Sequence, residues 1–138
     1  MSRLTPILLL ALGGALGTLA RVGLATAVNR FHGGPWPWGT LAANAIGCFL
    51  FGVLFSVIDK NHPLGPLASL ALIAGFCGAF TTFSTFAFDT AGLAQGQTFA
   101  GANALHALGN LLLHNVVGLS LLFAGLALGS RLAPAPGS

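Results

Sequence analysis

Apolar residues run through the chain in four long blocks, about 5–28, 40–58, 67–93 and 99–129, separated by short links rich in proline, glycine or polar residues. A bilayer is crossed by a helix of about 20 apolar residues. The pattern therefore predicts an all-α membrane protein, a single integral domain over 1–138 with four transmembrane helices. The first block starts like a secretory leader, with Arg3 before an apolar run and small residues near Ala20. Its apolar character nevertheless continues past Arg21 to Val28, so a spanning helix is expected instead.

The third block departs from this regularity. In Gly75-Phe-Cys-Gly-Ala-Phe-Thr-Thr-Phe-Ser-Thr-Phe86, four hydroxyl residues (Thr81, Thr82, Ser84, Thr85) and four phenylalanines crowd into twelve positions. That composition predicts a helix broken near 78–82. A break at membrane depth frees backbone carbonyls that lipid cannot satisfy, so it survives only against protein or a hydrated cavity. Freed carbonyls suit a cation. Hydroxyl donors and the positive edges of phenylalanine rings suit an anion. Phe83 and Phe86, three apart, share a helix face. A loop between two short helices, or a seam of small packing residues, would also account for the glycines.

Polar positions inside the other blocks fall on single faces. Gly13, Gly17 and Arg21 are spaced by four, which predicts a close helix contact and an arginine pointing into protein. In the second block Asn44 leads the row Asn44, Cys48, Gly52 beside the row Ala43, Gly47, Phe51. It could serve as a donor in a polar path or as hydrogen-bonding glue between helices. In the fourth block Asn103, His106, Asn110 and His114 form one polar stripe, fitted either to a wet path or to interhelical bonding. The link 29–38 carries both tryptophans with two glycines and two prolines, the make-up of an interfacial turn. A frayed tail is expected after Gly129.

Composition narrows the function classes. The chain is 55% hydrophobic, with five Lys/Arg and two Asp among 138 residues. A net charge of +3 spread this thinly makes no nucleic-acid surface. There is no Glu, and Asp59 and Asp89 are expected at or beyond the ends of apolar blocks, which leaves no mid-membrane carboxylate for proton exchange. Nucleophile, base and acid are nowhere gathered, so no enzyme is expected. Cys48 and Cys77 lie in apolar blocks and read as small hydrophobes. Four spans put both termini on one side with Arg3, Lys60 and Arg131, against Arg30 and the deeper Arg21 on the other. So small a bias scarcely selects an orientation. Four helices are also few to enclose a polar path, and a two-fold oligomer is expected.

Three motifs now align: Gly13-Gly-x-x-Gly-x-x-x-Arg21, Gly39-Thr-Leu-x-x-Asn44-x-x-Gly47 and Gly75-Phe-Cys-Gly-x-x-Thr81-Thr-Phe-Ser-Thr-Phe86. The chain resembles the Fluc/CrcB fluoride channels along nearly its whole length. The resemblance implies an antiparallel, dual-topology homodimer in the lipid of the bacterial cytoplasmic membrane, with two pores that let fluoride leave the cytoplasm passively. It implies a structural Na⁺ held by the main-chain carbonyls of Gly78 and Thr81. The fluoride path would involve Asn44, Phe83 and Phe86 with the hydroxyls of Thr82, Ser84 and Thr85, and Arg21 near its mouth. In the fourth block this chain offers Asn110 and His114 where similar channels carry small hydroxyl residues. A small dual-topology multidrug exporter is the competing class; its proton-exchanging carboxylate is missing here.

Overall fold

The computed structural model describes residues 4–32, 34–61 and 65–132. Arg3, part of the link at 62–64 and the tail beyond Leu132 lie outside the described residues. The described chain is all helix and turn: α1 (Leu4–His32), α2 (Trp38–Asn61), α3 (65–80), α4 (Phe83–Ala94) and α5 (Ala104–Leu132). Helices α3 and α4 are the two limbs of one span, Gly65–Ala94. Four spans are long and apolar enough to cross a bilayer. The chain is an integral membrane protein with four transmembrane helices.

Several boundaries differ from expectation, and helix α1 runs on to His32 through residues expected in the link. Helix α2 continues to Asn61, through residues expected in the link. The last helix starts at Ala104, not near 99, because residues 96–102 turn through Gly96 and Gly101, both at positive φ (70° and 90°). Asn103 then caps the helix, its Oδ1 accepting from the backbone N–H groups of Leu105 and His106 at 3.0 and 3.3 Å. It belongs to the cap and not to the polar stripe.

Two seams of close backbone contact hold the spans together. On the first, Gly13 and Gly17 of α1 are buried against α3; a β-carbon at either would collide with the carbonyl oxygen of Ala71 or Phe76 respectively. The contact points are four residues apart on α1 and five apart on α3. Residues Leu70–Cys77 are wound as a π-helix, whose longer turn matches the two spacings. Gly75 within it approaches α1 so closely that a β-carbon would stand 3.2 Å from the Gly13 Cα. Such approach is how helices associate where lipid removes the hydrophobic drive between them.

On the second seam α2 packs along α5. Gly52 meets the Leu122 carbonyl, Gly125 the Phe49 carbonyl, and Gly129 the Val53 backbone. The Ser56 hydroxyl donates to the Leu126 carbonyl at 3.1 Å. At one end of the bundle the turn between α1 and α2 is fixed by Asn29, whose Oδ1 accepts from the Gly39 N–H at 3.0 Å. Around it His32, Trp36, Trp38, His106 and Phe99 form a chain of ring contacts, the aromatic anchor expected of an interfacial turn.

Candidate functional site

The break falls at Thr81 and Thr82, whose backbones leave the helical region for extended conformations (φ −83°, ψ 155° and φ −148°, ψ 115°). An intact helix would pair each carbonyl with the N–H four residues on. Here those donors are taken by other groups. The Thr82 N–H, which would serve Gly78, donates to Asn44 Oδ1 at 2.7 Å. The Thr85 N–H, which would serve Thr81, donates to Thr82 Oγ1 at 3.2 Å and so caps α4. Ala79 instead accepts from the Arg21 Nε at 3.2 Å. Arg21 thus points into protein, one turn beyond Gly17, and places a cation at the carbonyl end of α3.

Asn44 grips the break with both ends of its amide. Besides accepting from the Thr82 N–H, it donates from Nδ2 to the Thr82 carbonyl at 3.1 Å. Gly47, one turn along α2, leaves the space that the Thr81 methyl group fills; a β-carbon there would collide with it. Asn44 and Gly47 form a socket for Thr81 and Thr82. The Thr81 hydroxyl turns back to donate to the Cys77 carbonyl at 3.0 Å.

Beyond the break, three hydroxyls gather at the first turn of α4. Thr82 Oγ1 donates to Thr85 Oγ1 at 3.0 Å and lies 3.3 Å from Ser84 Oγ. The Thr85 proton remains free to donate elsewhere. Phe83 and Phe86 meet edge to face, ring centroids 5.7 Å apart. Phe86 is buried, whereas Phe83 is 79% exposed on this chain. Phe86 also lies against the His114 imidazole of α5, centroids 4.5 Å apart.

These groups share one cleft of about 540 Å³, lined by Asn44, Thr81, Thr82, Phe83, Phe86 and His114 together with Cys48, Asn115 and apolar residues of α2 and α5. Arg21, Asn110, Ser84 and Thr85 are not among its walls. Asn110 is fully buried, and its Nδ2 donates to Thr90 Oγ1 at 2.8 Å while the Thr90 hydroxyl donates to the Phe86 carbonyl at 2.7 Å. The α5 stripe is therefore divided between a bonded Asn110 and a cleft-lining His114. Thr90 escaped the sequence reading although it stands one turn after Phe86. So did Gly47's service as a socket, and Asn115's place on the cleft. Asp89, expected at or beyond the end of its apolar block, lies inside α4 instead; it is half-buried and accepts from the Thr40 hydroxyl at 2.7 Å, level with the first turn of α2.

Positions 8–126 match the model of a family described as CrcB-like protein, Camphor Resistance (CrcB). A protein of Nitratidesulfovibrio vulgaris named fluoride-specific ion channel FluC is 48% identical over 124 residues, covering 89% of this chain and 95% of that protein. Proteins of the same name from Solidesulfovibrio magneticus and Dehalococcoides mccartyi are similar at 44% over 120 residues and 40% over 126. They cover 87% and 91% of this chain and 92% and 93% of their own lengths.

Proposed function

The chain belongs to the CrcB family, and from that premise we propose that it is a passive fluoride channel of the bacterial cytoplasmic membrane, not an enzyme. The observation that carries this reading is the broken third span, which brings two phenylalanine rings and the threonines of the break to one cleft beside Asn44. Fluoride is small and strongly hydrated, and a path for it must offer replacement donors while holding it only weakly. The second Nδ2 hydrogen of Asn44 and the ring edges of Phe83 and Phe86 are such donors at the cleft, and the Ser84 and Thr85 hydroxyls stand beside the break, outside the cleft walls. The multidrug alternative loses its ground with the family assignment.

The working unit is an antiparallel homodimer with two pores, through which fluoride leaves the cytoplasm. Phe83, largely uncovered on a single chain, supports this because a path that uses its ring edge requires a second surface over it. Gly78 is exposed at the break with open space around it, the next atom to a β-carbon being the Ile73 carbonyl oxygen at 3.8 Å. Another backbone can approach there.

A structural Na⁺ fits the same place. The Gly78 and Thr81 carbonyls have lost their helical donors to Asn44 and Thr82, and hard oxygen ligands of this kind suit an alkali cation. Two carbonyls from each of two chains would hold it, and its charge would ease the passage of an anion through a low dielectric. The test is fluoride efflux from liposomes containing the pure protein. Efflux well above that of protein-free vesicles is expected; its absence from folded, reconstituted protein overturns the reading.

A further inference from the structure

Of the α5 side chains on the cleft wall, two are polar, His114 and Asn115, and they are placed differently. The His114 ring holds Nδ1 3.1 Å from the Asn110 carbonyl oxygen, which only accepts, so its N–H is engaged there; the other ring nitrogen is buried. His114 therefore turns no N–H toward the cleft. Asn115 is exposed. Its Nδ2 donates to the carbonyl of Leu111 at 2.7 Å, one turn back on the same wall. That bond fixes the amide nitrogen toward Leu111 and uses one of its two hydrogens, while the second hydrogen has no acceptor among the described residues.

The Leu111 bond does not account for the amide. In a helix the Leu111 carbonyl already has the Asn115 backbone N–H as its partner, so the side chain rescues no orphan group and is instead oriented by the contact. Asn115 stands about 16 Å along a helix of 29 residues at about 1.5 Å per residue, which is near mid-span. An exposed amide at that depth is costly against lipid and persists where it faces protein or water.

We propose that Asn115 is a further donor of the fluoride path, its amide oriented by Leu111 so that the second Nδ2 hydrogen is presented to the anion. The proposal rests on the fluoride-channel reading. It makes Asn115 the counterpart on α5 of Asn44 on α2: each amide gives one N–H to a backbone carbonyl, Leu111 in one case and Thr82 in the other, and keeps its second for the cleft they share. Neutral donors suit permeation. Each replaces part of the lost hydration without a fixed charge that would hold the ion in place.

Fluoride efflux from proteoliposomes, with protein-free vesicles subtracted, tests this. Asn115→Ala removes the donor without adding bulk, and loss of a hydrogen bond to an ion predicts flux lower by about tenfold, with the dimer and its thermal stability unchanged. Ser120→Ala, which removes a polar group from the same helix outside the cleft wall, should conduct as wild type. Wild-type flux from Asn115→Ala overturns the inference while leaving the channel reading intact; no flux from the wild type overturns the channel reading itself. Loss of the dimer in Asn115→Ala also overturns it, because the amide would then be bonding the second chain, and so does an equal loss of flux in Ser120→Ala. Should Asn115→Ala not fold, ¹⁵N NMR of the Asn115 side-chain amide in the wild-type dimer decides the matter. Added fluoride, against chloride at the same ionic strength, should shift the resonance of one amide proton more than the other, and resonances indifferent to fluoride refute the proposal.

Discussion

Asn44 has one side chain to satisfy two backbone groups, and that economy explains why an amide stands at this position. Its oxygen takes the Thr82 N–H and its nitrogen supplies the Thr82 carbonyl, so a residue pulled out of helical geometry loses no hydrogen bond at membrane depth. Asn44→Ala would strand both groups, at a cost of about 1–3 kcal/mol for each left unsatisfied. A lower unfolding temperature and loss of fluoride flux are expected together. Asn44→Asp keeps the acceptor for the Thr82 N–H but turns the nitrogen donor into a second acceptor and adds negative charge beside the path. It should retain more of the fold than the alanine variant and still conduct no fluoride. Wild-type flux from Asn44→Asp would show that the remaining Nδ2 hydrogen has no part in permeation.

Arg21 acts on the same break from the opposite side. Its bond to Ala79 caps a helix end whose carbonyls face away from any continuing helix. Arg21→Gln preserves a neutral donor but not the charge, and Arg21→Leu preserves neither. Thermal stability in detergent is expected to fall in the order wild type, glutamine, leucine, with the leucine variant about 1–3 kcal/mol below wild type. Equal stability of all three would mean that water, and not Arg21, satisfies the Ala79 carbonyl.

At the scale of elements, the bundle is built around the broken span, with α1 pressed against its first limb and α2 against its centre. The glycine row of α1 was legible in the sequence because a spacing of four defines a face whatever that face meets. What it meets was not legible. The π-helical winding of Leu70–Cys77 depends on matching five residues of α3 to four of α1, and no residue in that stretch announces it. The location of the break was readable from glycine and hydroxyl crowding, but the pairing of Asn44 with Thr82 is a contact between residues 38 apart in sequence. The start of α5 was misplaced for a local reason, since Asn103 reads equally as a helix-face residue and as a cap until Gly101 is seen at positive φ.

This architecture separates two substitutions at the break. Thr81→Ser keeps the hydroxyl that bonds the Cys77 carbonyl and alters only the methyl group in the Gly47 socket, so the break and any cation on its carbonyls should persist. Gly78→Leu adds bulk to a bare surface where a second backbone is proposed to lie. Flux and Na⁺-dependent thermal stability are expected in Thr81→Ser and absent from Gly78→Leu, because an ion bound only by the folded assembly raises its apparent stability. A Gly78→Leu protein that remains dimeric and still gains stability from Na⁺ would exclude these carbonyls as its site.

For the whole molecule the decisive quantity is a charge difference close to zero. Orientation in the membrane follows the excess of Lys and Arg in short loops near the spans, with acidic residues contributing little. Arg3, Lys60 and Arg131 stand against Arg30 and Arg21. Arg21 is drawn inward to the Ala79 carbonyl, which weakens its claim as a loop charge without adding a strong bias the other way. Insertion in both directions is the expected result, and an antiparallel pair needs both orientations in one membrane. Three lysines added after Ser138 should overcome the small bias and trap one orientation, observable as a single pattern of labelling by a membrane-impermeant thiol reagent at an engineered terminal cysteine, with Cys48 and Cys77 replaced by Ala. Alone, that variant should show little or no fluoride flux. Co-expressed with a partner biased oppositely by lysines in the turn between α1 and α2, it should recover flux, since each orientation then supplies half of every dimer. Full flux from the singly oriented population would rule out the antiparallel arrangement and leave Phe83 exposed to lipid or covered by a parallel copy.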